Sequence, residues 1–120
     1  MRDLRLNRPF GPGLFEKVYQ RCLVYKLVGH GLFVEVEKPL PIKFEEVQID
    51  CGYKVDIFVE RRILIEVKAI DALRPIDLAQ MMTYLRLAGC RLGLILNFNV
   101  KCMKAGIRRV VWDQPPRDAE

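Results

Sequence analysis

Histidine is almost absent from this chain: there is one, His30, set between two glycines in what reads as a loop. The four cysteines, Cys22, Cys51, Cys90 and Cys102, are scattered and never form a C-x-x-C pair. Structural zinc sites need closely spaced Cys and His ligands, so this ligand poverty argues against one. The cysteines are expected instead as small, mostly buried apolar residues of a reducing cytoplasm. No apolar run reaches the ~18 residues that cross a bilayer. The start, MRDLRLNRPFGPG, has arginines with no apolar stretch behind them, unlike a signal peptide. A cytoplasmic protein without a membrane partner is therefore expected.

What is abundant is hydrophobic sequence, 51% of 120 residues, enough for the core of one compact domain. Twenty Lys and Arg against fifteen Asp and Glu leave a net charge of +5, which favours a polyanionic partner. After Gly11-Pro12-Gly13, the stretch LFEKVYQRCLVYKLVG repeats Leu14, Val18, Cys22 and Tyr25 at helical spacing, widened by Phe15, Tyr19 and Leu23 and stopped by Gly29 and Gly31. LFVEVEKPLPIKFEEVQID alternates, but Pro39 and Pro41 confine it to a bent or edge strand. YKVDIFVERRILIEVKAI reads as a hairpin turning at Glu60-Arg61-Arg62. Pro75 and Gly89 bracket a second helix. RLGLILNFNV reads as a buried strand, AGIRRVVWDQ as a short last strand, and residues 114–120 as a loose tail. The order, helix, three strands, helix, strand and an extra strand, defines an α/β fold in a single domain over residues 1–120.

The hairpin carries the chemistry. With a three-residue turn, Asp56 stands directly across from Glu66, and Lys68 follows two positions on along the same face. Like charges so placed repel by roughly 0.2–1 kcal/mol. A divalent cation between them would remove the conflict, and Mg²⁺ is commonly held by one or two carboxylates with water and substrate phosphate around it. A lysine beside them can position an attacking water for phosphodiester hydrolysis. A solvated hairpin face with a Glu-Lys neighbour pair would look the same in sequence.

Asp56 followed by Glu66-Val67-Lys68 resembles the signature of the PD-(D/E)xK, restriction-endonuclease-like nucleases, and the αβββαβ order is similar to their core, a mixed sheet flanked by helices. Gly13-x-x-Glu16-x-x-Tyr19 resembles the namesake motif of the GxxExxY branch, whose later blocks are similar to LPIKFEEVQIDCGYKVDIFVERRILIEVKAIDAL, AQMMTYLRLAGCRLGLILNFNV and GIRRVV. The resemblance implies a nuclease acting on DNA, RNA not being set aside, with Mg²⁺ or Mn²⁺ as cofactor. Asp56 and Glu66 would hold the metal, the Val67 carbonyl would complete its shell, and Lys68 would position the water. Glu16, expected in the first turn of its helix, where a carboxylate suits the dipole, would assist at the metal. Gln80 and Tyr84 are similar to a QxxxY element that contacts the substrate strand, or else form an amphipathic boundary pair. Tyr19 either packs in the core or touches substrate. Lys101, Lys104, Arg108 and Arg109, with Arg61 and Arg62 in the turn, serve as phosphate contacts or as solubilising charge.

Two departures stand out. Val55 precedes Asp56 where the superfamily has proline. Residues 1–12 are short, arginine-rich and contain Pro9 where relatives carry a longer amphipathic helix, and loss of that helix would expose apolar surface and favour a homodimer or blunt activity. A catalytically silent nucleic-acid-binding or scaffolding module, or one subunit of a larger nuclease complex, would share the same fold. Removing either strand carboxylate is expected to leave the fold intact or slightly stabilised, by relieving repulsion.

Overall fold

The computed structural model describes residues 12–99 and 106–113. The chain runs α1 (Pro12–Gly29), β1 (Val34–Pro39), β2 (Ile42–Phe44), β3 (Val47–Ile49), β4 (Lys54–Val59), β5 (Ile63–Lys68), α2 (Pro75–Ala88), β6 (Leu92–Asn97) and β7 (Ile107–Val111). Five strands form one sheet in the order β1-β4-β5-β6-β7, while β2 and β3 make a separate two-stranded hairpin. All pairs in the sheet are antiparallel except β5 with β6, which are joined by α2 as a parallel crossover. This is the mixed sheet flanked by helices that the sequence implied.

Pro39 ends β1, and β1 is the sheet edge, as proline requires. The following residues do not prolong it. They turn back as β2–β3, with Ile42 opposite Ile49 and Phe44 opposite Val47. The sequence reading kept this stretch with the bent edge strand, because Leu40, Ile42 and Phe44 stay in phase with Val34 and Val36 past the two prolines.

Each face of the sheet has its own apolar layer. Ile57, Val59, Ile65 and Val67 pack with Phe15 and Tyr19 of α1. Phe58, Leu64, Ile95 and Val110 pack with Met81, Tyr84 and Leu85 of α2. The buried stripe of α1 is therefore the one containing Phe15 and Tyr19. Val18, Cys22 and Tyr25, expected at its centre, are exposed, Tyr25 at 78%. The two stripes are adjacent on the helix, and the polar Gln20, 3% exposed, sits on the buried one. Cysteine burial is correspondingly mixed: Cys90 is buried, whereas Cys22 and Cys51 are exposed. Cys102 lies outside the described residues. Val55, at the superfamily's proline position, is fully buried in the α2 layer.

Helix α2 runs between its two sequence signals. Pro75 opens it without needing an N–H. Gly89 closes it in the left-handed region at φ 68°, with its N–H donating to the Leu85 carbonyl. The tightest seam is where α2 crosses β6: a Cβ added at Gly93 would lie 2.5 Å from Met81 Sδ and 2.8 Å from its Cγ. Met81 is fully buried. We therefore expect Gly93→Ala to destabilise the protein by about 1–3 kcal/mol, as overpacking does. Met81→Ala alone should cost about 2–5 kcal/mol through its cavity, and the double variant should lose less than the sum. Urea titration of the four proteins measures this, and strict additivity would show that the seam is not tight.

Candidate active site

The ladder between β4 and β5 pairs Val59 with Ile63, Phe58 with Leu64 and Ile57 with Ile65, and then stops. The three-residue turn anticipated from the sequence is therefore present, and Asp56 and Glu66 occupy the next opposed position. Beyond it the strands part company. β4 continues against β1 through Val55–Lys38 and Lys54–Pro39, and β5 continues against β6 through Glu66–Ile95 and Lys68–Asn97. The sheet splits at the two carboxylates.

Both side chains fold back into the split. Glu66 Oε1 accepts the Asp56 backbone N–H at 2.8 Å, and Asp56 Oδ2 accepts the Val67 backbone N–H, also at 2.8 Å. Each acid thus takes over a backbone donor that the broken ladder no longer serves. Asp56 Oδ1 and Glu66 Oε2 are the oxygens not used in this exchange. This changes the expectation for truncation: an alanine at either position would strand a partly buried N–H, a penalty of roughly 1–3 kcal/mol. The amide isosteres, Asp56→Asn and Glu66→Gln, retain an acceptor.

Burial and mutual repulsion shape the charges. Glu66 is 8% exposed, and its pKa is pushed up to about 7, by burial first and then by the neighbouring Asp56 charge. Burial likewise raises Asp56, opposed by the Val67 N–H and by Lys68. Glu16 reaches this centre from α1. Its carboxyl hydrogen-bonds the backbone of Ala69, and burial raises its pKa against the pull of Lys68. It lies beyond the first turn of α1, because that helix begins at Pro12 and its first turn holds no acid. The dipole therefore does not account for Glu16, and its surroundings at the end of β5 do.

Three buried polar residues that the sequence reading passed over complete the setting. Gln20, four residues after Glu16 on the same helix face, donates from Nε2 to the Asp56 carbonyl at 3.4 Å. A glutamine within an apolar stripe was the available signal. Asp77, 4% exposed in the first turn of α2, lies 4.0 Å from Lys68 Nζ. It also accepts the Arg74 backbone N–H at 2.8 Å and pairs with the Arg74 guanidinium at 3.1 and 3.2 Å. That guanidinium holds the Asp77 pKa below the usual range. In sequence Asp77 is an ordinary first-turn acid, and only the fold sets it opposite Lys68. Asn97 clamps the bend after β5, accepting the Ile70 N–H at 3.1 Å and donating to the Ile70 carbonyl at 2.9 Å.

The other sequence candidates fall into place as follows. Tyr84 is 5% exposed on α2 and meets Tyr53 edge-on at 6.1 Å. Burial and the nearby Glu66 and Asp56 charges push its phenol up to about 12, so it remains a proton donor. Gln80, one turn before it, is half-buried beside Lys68 and Asp77. Tyr19 lies in the α1 core layer, stacked on Phe98 at 4.5 Å. Arg61, Arg62, Arg108 and Arg109 are exposed. Lys101 and Lys104 lie outside the described residues.

Among the described residues, no group of three or more His, Cys, Asp or Glu side chains is gathered closely enough to form a metal cage. Two desolvated carboxylates that repel each other nonetheless suit a hard cation. Mg²⁺ is usually held by one or two protein carboxylates rather than by an all-protein cage. The donor chemistry of Asp56 and Glu66 fits such an ion.

Comparison with curated proteins and with solved structures gives no match to either. The model of the PD-(D/E)XK nuclease superfamily matches residues 4–110, a span that contains the split sheet, both strand carboxylates and Lys68. By that match over most of its length, the chain belongs to the PD-(D/E)XK nuclease superfamily.

Proposed function

We propose that this protein is a metal-dependent nuclease of the GxxExxY branch that hydrolyses phosphodiester bonds in DNA at the split between β4 and β5. The observation that carries the reading is a buried Glu66 and a half-buried Asp56 set against each other at that split, with Lys68 beside them and Glu16 reaching in from α1. Two like charges held together out of water are unfavourable without a counter-ion, and a cation site needs them in place before the ion arrives.

Asp56 and Glu66 would hold Mg²⁺ or Mn²⁺, with the Val67 carbonyl and Glu16 as the supporting oxygens. The ion, when bound, neutralises charge developing on the phosphate. The chain's own residues do the rest. Asp56 and Glu66 are fixed by the amides they accept, so their outer oxygens are pre-positioned. Lys68 approaches from the α2 side, tethered by Asp77, and would orient the attacking water. Gln20 fixes the backbone of Asp56 from behind. Gln80 and Tyr84 would hold the substrate strand by hydrogen bonds that require no particular base. Glu66 must surrender its proton for the ion to bind, so occupancy should rise with pH through about 7.

Two outcomes test this. Labelled linear, circular and single-stranded DNAs should be cleaved in Mg²⁺ or Mn²⁺ and not in EDTA. Glu66→Gln and Lys68→Ala should each lower the rate at least ~100-fold, and titration calorimetry should show Mg²⁺ binding lost in Asp56→Asn. Undiminished cleavage by either variant, or unchanged Mg²⁺ binding by Asp56→Asn, would remove the assignment.

The second outcome concerns pH in the absence of metal. The folded Glu66 titrates near 7 and the unfolded one at its ordinary 4.5, so between those values the folded state holds the extra proton. Stability is therefore fully present below about pH 4.5 and is lost as pH rises through 7. The lowered Asp77 acts in the opposite direction but only at more acidic pH. In EDTA, the melting temperature should fall between pH 5 and 7.5, by an amount on the order of 2 kcal/mol in stability. Glu66→Gln should flatten that slope. A wild-type curve that is level or rising across this window would contradict the burial of a protonatable pair.

A further inference from the structure

On the α2 side of the carboxylates a groove of about 520 Å³ opens between the residue that leads into β4 and the first two turns of α2. Tyr53, Lys68, Arg74, Asp77, Gln80 and Thr83 line it. Lys68 belongs both to this groove and to the carboxylate centre, so the groove begins where the scissile phosphate would lie. We infer that this groove is a subsite for one unpaired nucleotide next to the scissile phosphate, with the base stacked on Tyr53 and its phosphate held by Arg74. The inference rests on the nuclease reading and adds to it a substrate class, single-stranded or locally opened nucleic acid.

The charge that reaches solvent in the groove is positive, although it contains one acid. The Asp77 side chain is 3% exposed, closed in by Arg74 and Lys68, whereas that of Arg74 is 64% exposed and that of Lys68 20%. Arg74 engages Asp77 through Nε and Nη2. A guanidinium has five N–H donors in a planar fork, so its outer edge suits a phosphate while its inner edge stays anchored.

Tyr53 supplies the platform. Its carbonyl accepts the Leu40 N–H at 2.8 Å, which ties it to the edge of the sheet. Its ring leans on Tyr84 at an interplanar angle of 64°, and the residue remains 39% exposed, directly in the groove. A buried tyrosine would serve the core and a loose one would be a poor support; this one is tethered and open. Gln80 has no hydrogen-bond partner among the described residues. The Thr83 hydroxyl donates to the Ala79 carbonyl and keeps its acceptor lone pairs. Together they offer donors and an acceptor for a base edge. A base inside a duplex has both faces covered by its neighbours, so a single aromatic platform selects a strand that is unpaired at that point. The volume lies within the range of pockets that hold one small ligand.

The test uses the full chain carrying Glu66→Gln, in EDTA, with fluorescein-labelled single-stranded DNA, its duplex, and the same single strand bearing one abasic position at each site in turn. Anisotropy should show tighter binding to the single strand. Tyr53→Ala should weaken that binding about tenfold, the loss expected for one stacked base, while Tyr53→Phe stays within about twofold and duplex affinity is unchanged. One abasic position should mimic Tyr53→Ala in the tyrosine protein and have no further effect in the alanine one, a result that misfolding would not produce. Equal single-strand affinity with and without Tyr53, or parallel loss on single strand and duplex, overturns the subsite. Cleavage of the three DNAs by the protein with native Glu66 in Mg²⁺ separates the two ideas. Tyr53-dependent binding without any cleavage overturns the nuclease reading and leaves the subsite standing, and metal-dependent cleavage indifferent to Tyr53 does the reverse.

Discussion

The exchange of backbone amides between Asp56 and Glu66 is the contact on which the rest of this site depends. A sheet that splits leaves unpaired N–H groups along both lips of the split, and in a protein interior such groups must find acceptors. Here the acceptors are the two acids themselves: each reaches across to the opposite strand at 2.8 Å. The same two bonds therefore hold the gap open, stitch its apex and fix the orientation of both carboxylates. If the carboxylates were merely surface charge, the strands could close and the ladder continue for another pair. Because the acids substitute for the ladder, β4 is free to follow β1 and β5 to follow β6. The candidate site residues are thus structural ones as well, and truncation does not remove their charge without also removing a backbone acceptor.

Holding two carboxylates together out of water is unfavourable, and the surrounding charges show how the fold manages it. Lys68 lies near both acids, but the ion pair it forms is with Asp77, at 4.0 Å, on the opposite helix. Had it collapsed onto Glu66, it would have neutralised the pair and competed with any cation for it. Asp77 in turn is shared with Arg74, so the lysine is tethered without being fully quenched. On the outer side, Glu37 is bridged by Lys17 and Lys54, each at 2.9 Å, which places two more cations around the Asp56 end of the split. Burial first, and then the neighbouring Asp56 charge, raises the Glu66 carboxyl toward neutrality.

Much of this was legible in the sequence, and the parts that were not share a physical cause. Turn length and strand period are local properties, so the hairpin, its register and the facing of Asp56 and Glu66 followed from residues 53 to 70 alone. Pro75 and Gly89 marked α2 because each acts on its own backbone. The failures came where two patterns coexist. In α1, the stripes through Val18, Cys22 and Tyr25 and through Phe15 and Tyr19 have the same spacing, and only the sheet decides which is covered. Strand β2 stays in phase with the alternation of β1, and so reads as its prolongation. The importance of Asp77, Gln20 and Asn97 was invisible for a different reason. Each owes its role to a partner at least nine residues distant, and no local signal marks a polar residue that will end up buried beside such a partner.

The placement of these residues also divides the labour between frame and loops. The acids and Lys68 sit on strands whose backbones are held by ladders on at least one side, which keeps reacting groups in register. The groups that we propose meet a substrate, Tyr53 and Arg74, lie just outside elements, one before β4 and the other before α2. Such positions are easily altered without disturbing the core, yet both are anchored here. Tyr53 is tied by its carbonyl to Leu40, Arg74 by its own amide and guanidinium to Asp77, and the intervening bend by Asn97 at Ile70. Asp77 links the two halves, since it anchors Arg74 on the substrate side and tethers Lys68 on the chemical side. A phosphate at the outer edge of Arg74 would meet a guanidinium whose inner edge stays on Asp77. Through that one buried carboxylate, the arginine of the groove and the lysine beside the acids share a single anchor.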